Sequence, residues 1–510
     1  MSKVVKTIIL AGFIVAKFLL QFFLISPFYD LHRDEYLHLD QGNHLAWGYL
    51  SVPPVTSWIS FLIKLLGNSI FFVKFFPALF GALTIFVVWK SIELLKGNLF
   101  ALILGSTGVL LSILLRLNTL YQPNSLDVLC WTTFYYMLIR YFNSENSRWL
   151  FYAAVVFAIG FLNKYNVIFL LLGLFPAILL TPNRNLLVRK NFYMAILVGL
   201  ILILPNLIWQ YTNSFPVIYH MKELTKNQLV NVSLKGFLTS QILFFAGSVV
   251  VIISGLYALL FYKLFQKYKV FFWSFVFTLA VFIFFKAKDY YVIGLYPIYI
   301  AFGSVFLESI LNHGWKIWLR PILIMLPVLF FIPMYNYALP NRTPDYVVKH
   351  HQKYSEIGML YWEDGKEHEL PQDFADMVGW KELAGKVDKA YSGLPDKEHT
   401  LILCDNYGQA GAINYYSKLG IKAVSFNADY INWFDLSKKY VNVIRVKDYF
   451  ERDNEMPETS PFFAKSSISG EVENKYAREY GTTIFVFQNA KININKRIQN
   501  EINEVKSRQK

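Results

Sequence analysis

The chain has 510 residues, 55% of them hydrophobic and 18% aromatic, and only 16% charged. A soluble core cannot hide that much apolar surface, so the composition excludes a soluble domain and points to a polytopic membrane protein. The net charge of +14 matches the Lys/Arg excess of cytoplasmic loops near anionic headgroups; no basic face with stacking aromatics stands outside the apolar runs, which argues against a nucleic-acid partner.

Lys3 and Lys6 precede an apolar run at 7–26. It is too long for a signal-peptide core and lacks a small-x-small cleavage site, so it reads as a retained first span. Further runs at 70–89, 98–115, 124–142, 149–163, 166–181, 192–211, 238–261, 270–286, 290–311 and 317–338 bring the count to about eleven candidate spans. These must be helices, because lipid cannot satisfy open backbone groups. With a cytoplasmic N-terminus, every break on the inside holds at least two basic residues. Lys90 with Lys96, Arg140 with Arg148 and Lys316 with Arg320 are examples.

That orientation, in a plasma membrane (the inner membrane of a two-membrane cell), sends loop 27–69 and the breaks near Arg116, Lys164 and Lys288 to the external face. Everything after 338 goes with them. Apolar residues from Val55 to Leu66 recur at helical spacing, which suits a helix lying in the interface. Residues 339–490 lose the spanning pattern. Strands are expected at 400–404, 421–426, 440–446 and 483–488 and a helix at 408–419, which together make a small α/β domain. The stretch 406–412 reads as a strand-to-helix turn or as a binding loop. The tail 491–510 is charged and reads as a solvated helix or a disordered segment. Cys130 lies in an apolar run and Cys404 in the polar third, so no disulfide between them is expected.

Chemistry concentrates in loop 27–69, which carries Arg33, Asp34, Glu35, Tyr36, His38 and the pair Pro53-Pro54. An acidic pair at the mouth of a membrane cavity can supply a general base. Partial desolvation is expected to raise its pKa toward that of a proton acceptor. Arg116, Lys164 and Lys288, with Asp127, Tyr290 and Tyr291, interrupt apolar runs on the same face. Ionisable groups there mark sites or pathways, and separate Lys and Arg suit a phosphate. His32, His38 and His44 fall on no common helical face and no HExxH or CxxC occurs, so no metal is expected. No phosphate-binding Gly-rich loop signals a soluble nucleotide, and no cofactor is expected.

These residues resemble the GT-C superfamily of membrane glycosyltransferases that use polyprenyl-phosphate sugars. Within it they are similar to the family-39-like group of protein O-mannosyltransferases and the bacterial aminoarabinose transferase of lipid A. Asp34-Glu35 after the first span, Gly48 through Pro53-Pro54, Arg116 and Asp127, Lys164-Tyr165, and Lys288-Asp-Tyr-Tyr291 carry the likeness. Phe374–Trp380 and Asn406–Ala412 resemble a bacterial subgroup of that group. The chain departs from the aminoarabinose transferase at Ser51-Val52 and Leu37, which argues against lipid A as acceptor and against a metal or donor contact at those positions.

The resemblance implies about eleven spans with an extracytoplasmic α/β domain, and an inverting transfer of a sugar to a hydroxyl on protein, lipid or glycan. Asp34 would be the catalytic base, and Glu35, its catalytic partner, would orient or hydrogen-bond the acceptor or donor. Arg116, Lys164, Lys288, Tyr290 and Tyr291 would hold the donor phosphate, and Arg33, Tyr36, His38, Pro53, Pro54 and Asp127 would line the cavity or meet the acceptor. The alternative of a polytopic transporter or lipid flippase lacks the paired repeats usual in that class.

Overall fold

The computed structural model describes residues 3–508. Helix forms in each of the eleven apolar runs. Five helices are long and apolar enough to cross a membrane singly: Lys3–Phe23, Ile70–Leu94, Lys190–Thr212, Lys263–Phe284 and Gly314–Ala338. Three further candidates are bent pairs, with angles of 107° after Leu179, 67° after Leu243 and 48° after Leu295. The helices Leu99–Leu110 and Arg148–Asn163 are shorter, and Asn124–Ser144 carries Asp127 and Arg140 within its apolar length. Helix Val55–Leu65 leaves Trp58, Phe61, Leu62 and Leu65 exposed and buries Ser57, Ser60 and Ile63. That is the outward apolar face expected of an interfacial helix.

Backbone contact fixes part of the bundle. A Cβ on Gly303 would lie 1.8 Å from the Val251 carbonyl oxygen, and one on Gly255 would lie 2.5 Å from that of Tyr299. Glycine at these positions lets helices Val249–Phe261 and Pro297–Ile310 touch main chain to main chain, as small residues do between membrane helices. The short 3₁₀ turn Asp289–Leu295, which carries Tyr290 and Tyr291, is held at the end of that pair.

The C-terminal domain is built on a five-stranded sheet: β1 (Thr400–Cys404), β2 (Ala423–Ser425), β3 (Asn442–Lys447), β4 (Phe463–Glu471) and β5 (Thr483–Ala490), in the order β2-β1-β3-β5-β4. β1 pairs in parallel with β2 and β3, while β5 runs antiparallel to β3 and to the edge strand β4. Side chains alternate across the sheet with period two. Ile402, Cys404, Ile444, Val446, Ile484 and Val486 pack with Trp380 and Tyr36 on one face. Leu401, Leu403, Val443, Phe485 and Phe487 meet Ile494, Ile498 and Ile502 on the other.

Those three isoleucines belong to helix Ile494–Arg508. Of the two readings of the tail, a solvated helix or a disordered segment, the helix is the one found, but with one packed stripe beneath a charged outer face. Sequence reasoning also missed β4, whose exposed residues Lys465, Ser467 and Glu471 give no apolar pattern.

Candidate active site

Helix Arg33–Gln41 opens on a capping box. His32 Nδ1 accepts from the Asp34 amide (3.2 Å), and Glu35 accepts from the His32 amide (2.6 Å). The box sends the two neighbouring carboxylates in different directions. Glu35 turns inward, fully buried, and each of its oxygens is bonded twice. Lys74 Nζ donates to both (2.6 and 2.7 Å), and the Tyr121 and His32 amides each take one. Its lone pairs are spent on the protein, so the expected contact between Glu35 and a substrate gives way to a positioning arrangement.

Asp34 keeps 35% of its side chain exposed. It accepts from the Tyr407 hydroxyl (2.6 Å) and Gln122 Nε2 (3.0 Å). Burial alone would push its carboxyl up. The His32 ring, the Arg33 guanidinium and the Tyr407 hydrogen bond outweigh that and hold it down to about 2. The upward shift expected from sequence is thus reversed, because the partners that compensate desolvation come from residues near and far. Arg33 itself lies 4.5 Å above the Tyr407 ring.

The expected cations converge on the same place. Lys288 Nζ donates to Glu363 (2.5 Å), and Lys164 Nζ donates to Asn124 Oδ1 (2.7 Å) and lies 4.1 Å from the Tyr291 ring centre. Tyr290 packs edge-on to Tyr291 at 4.8 Å. The Asp34 charge bears on Lys288, Tyr290 and Tyr291, so all of them share one electrostatic neighbourhood. Arg116 is buried, bonded to Thr119 Oγ1 (2.8 Å) and Asp373 (2.7 Å). The His32 ring links the two carboxylates, 3.8 Å from Asp34 and 3.9 Å from Asp373.

Other expected cavity residues are structural. Asp127 is buried, accepting from Trp131 Nε1 (2.9 Å) and Asn166 Nδ2 (3.0 Å); Asn166 also donates to the Tyr291 carbonyl (2.8 Å), so Asp127 props the tyrosine turn from behind. Tyr36 is buried against Trp380 (5.7 Å), Tyr415 and Tyr416. His38 is buried beside Gln41 at 3.0 Å, and Pro53 and Pro54 are buried, with Pro54 starting helix Val55–Leu65. Tyr36, His38, Pro53 and Pro54 thus hold the loop, and Asp127 holds the tyrosine turn. Among the described residues no three His, Cys, Asp or Glu side chains converge as metal ligands do.

Sequence reasoning missed Lys74, Gln122, Glu363 and Asp373, and touched Tyr407 only as part of the stretch 406–412. Lys74 had a usable signal, a charge inside the run 70–89. Asn406 does cap helix Tyr407–Tyr416 by accepting from the Gln409 amide (3.0 Å), as a turn residue should, while Tyr407 beside it reaches Asp34. Glu363 and Asp373 are ordinary acids in an acidic stretch and carried no signal.

Residues 51–209 match the family model described as dolichyl-phosphate-mannose-protein mannosyltransferase. The lipid A galacturonosyltransferase RgtD of Rhizobium johnstonii is 25% identical over 211 residues, which cover 40% of this chain and 44% of RgtD. The match therefore spans less than half of that relative. The structure of ArnT from Cupriavidus metallidurans bound to undecaprenyl phosphate superposes with a TM-score of 0.61 at 13% identity, covering 93% of this chain and 97% of ArnT. Its apo form gives 0.60 at 11%, covering 94% and 98%. The chain therefore has an ArnT-like fold, and within it residues 51–209 resemble the dolichyl-phosphate-mannose-protein mannosyltransferase family.

Proposed function

We propose that the chain is an inverting glycosyltransferase that moves a sugar from a polyprenyl-phosphate donor to a hydroxyl acceptor on the extracytoplasmic face. The observation that carries this is the split of the acidic pair. Glu35 is sealed, whereas Asp34 stays ionised and partly open next to Lys288, Tyr290 and Tyr291. A structural neighbour bound to undecaprenyl phosphate supports a lipid-linked donor, and a relative named as a galacturonosyltransferase supports sugar transfer. In this reading residues 1–338 are the transferase part, and 339–490 form an external domain that closes over it.

The acceptor hydroxyl replaces Tyr407 or Gln122 as a hydrogen-bond donor to Asp34 and attacks the sugar C1. The bond from C1 to the phosphate oxygen breaks, its electron pair leaves with the polyprenyl phosphate, and the hydroxyl proton passes to Asp34. One displacement inverts the anomeric centre. Lys164 and Lys288, with Arg116 behind them, meet the charge that grows on the leaving phosphate, the kind of preorganised help that dominates such steps. A carboxylate as acidic as Asp34 takes the proton late, when the hydroxyl has already become acidic.

The test is transfer of labelled sugar from polyprenyl-phosphate donors by purified protein in detergent. Asp34→Asn is expected to lose roughly 10²–10⁴-fold in kcat while still eluting as a folded protein. A variant as active as the wild type removes Asp34 as the base.

A further inference from the structure

Residues 361–376 of the C-terminal domain fold back over the cationic cluster. Tyr361 pairs with Glu367 in a short bridge, and Gly365 makes the turn at φ +77°. The Trp362 ring stacks on His368 at 3.7 Å, and Gln372 Oε1 accepts from the Glu363 amide at 2.8 Å. The two ends of this segment place one carboxylate each on two of the three expected donor cations: Glu363 on Lys288 at 2.5 Å and Asp373 on Arg116 at 2.7 Å.

The two pairs share an asymmetry. The carboxylate side chains are 42% and 52% exposed, whereas the Lys288 and Arg116 side chains are 14% and 11% exposed. The acids thus approach from the solvent side and cover buried cations. Two buried cations without counter-ions would be costly, so an empty site needs an anion. A carboxylate supplies it with the same geometry of charge-assisted bonds that a phosphate would use. Because each pair has one half-exposed member, it is also easily released. Lys164, the third cation, makes no salt bridge among the described residues; its donor bond goes to the neutral Asn124.

We propose that residues 361–376 are a strap whose Glu363 and Asp373 stand in for the donor phosphate and must leave Lys288 and Arg116 when a phosphate-bearing ligand enters. The strap rests on the donor-phosphate reading above. It makes the cations electrostatically satisfied at rest and turns ligand entry into an exchange of anions.

The experiment compares binding of undecaprenyl phosphate, and separately of inorganic pyrophosphate, to the full chain in detergent. The proteins are wild type, Glu363→Gln, and Glu363→Gln with Asp373→Asn. Glu369→Gln, an acid of the same segment whose charge bears on Lys475 rather than on the cluster cations, is the control for charge alone. The double variant is expected to bind undecaprenyl phosphate about 10-fold tighter than wild type, with the control unchanged. Trypsin cleavage after Lys366 in the wild type should speed up when the lipid is added, a readout that needs no variant. Equal or weaker binding by the double variant, or cleavage that ignores bound lipid, overturns the strap while leaving the donor reading in place. If neither protein binds the lipid but the double variant binds pyrophosphate more tightly, the strap stands and the lipid donor falls. If neither anion binds to any of the proteins, both readings fall.

Discussion

Asp34 and Glu35 are adjacent in sequence and opposite in circumstance. The pair is legible from sequence because two adjacent acids follow an apolar run in a chain only 16% charged. Which acid is open is not legible, because the burial of Glu35 is decided by Lys74 and Tyr121, residues from other elements. The difference is measurable. Glu35→Ala leaves the Lys74 ammonium buried beside only the Thr119 carbonyl (2.9 Å), and such a broken pair costs about 3–5 kcal/mol. Thermal unfolding of the purified protein should show that loss. The double change Glu35→Leu with Lys74→Met should recover most of it, since it removes both charges together. Asp34→Asn, by contrast, should remove transfer at a smaller cost in stability, since it loses the favourable charge but its amide oxygen can still accept from Tyr407.

At the scale of elements, the apolar runs were readable because their composition alone demands helix. Their bends of 107°, 67° and 48° were not, since composition carries length but no direction. The packed face of helix Ile494–Arg508 was not foreseen for a related reason. Its buried stripe is only Ile494, Ile498 and Ile502, one residue per turn in a charged background. The 3₁₀ turn Ala428–Asn432 shows how the two parts are joined. Asp429 accepts from the Leu50 amide and from Gln41 Nε2, both at 2.8 Å, and so ties the C-terminal domain to loop 27–69. Burial pushes its carboxyl up to about 6 against the pull of those two bonds. An acid with a raised folded pKa binds its proton more tightly folded than unfolded. Its contribution to stability is therefore full below about 4, falls as pH climbs to about 6, and is level above that. A melting temperature measured across that range should fall with pH, and Asp429→Asn should flatten the slope.

At the scale of the whole molecule, the boundary near residue 338 is plain in composition yet runs through the middle of the site. Tyr407 meets Asp34, Glu363 meets Lys288, and Asp373 meets Arg116 across it. Helix Arg33–Gln41 buries Leu37 and Tyr36 in the same cluster as Trp380 and Ile413. A chain ended after residue 338 would bare that face. It is expected to elute as aggregate on size exclusion in the detergent that keeps the full chain monodisperse. A well-behaved fragment would mean that the helical part does not depend on the domain for its fold.

The packing of Tyr36 on Trp380, Tyr415 and Tyr416 also sets a clock. A ribosome reaches those aromatics long after it has made the Asp34 helix, and at about 5–20 residues per second the delay is on the order of tens of seconds. Until then the helix has no floor, and a chain that stalls before Tyr416 carries every cation of the cluster but no seat for its acid. The floor of the site cannot form before Tyr416 has been made.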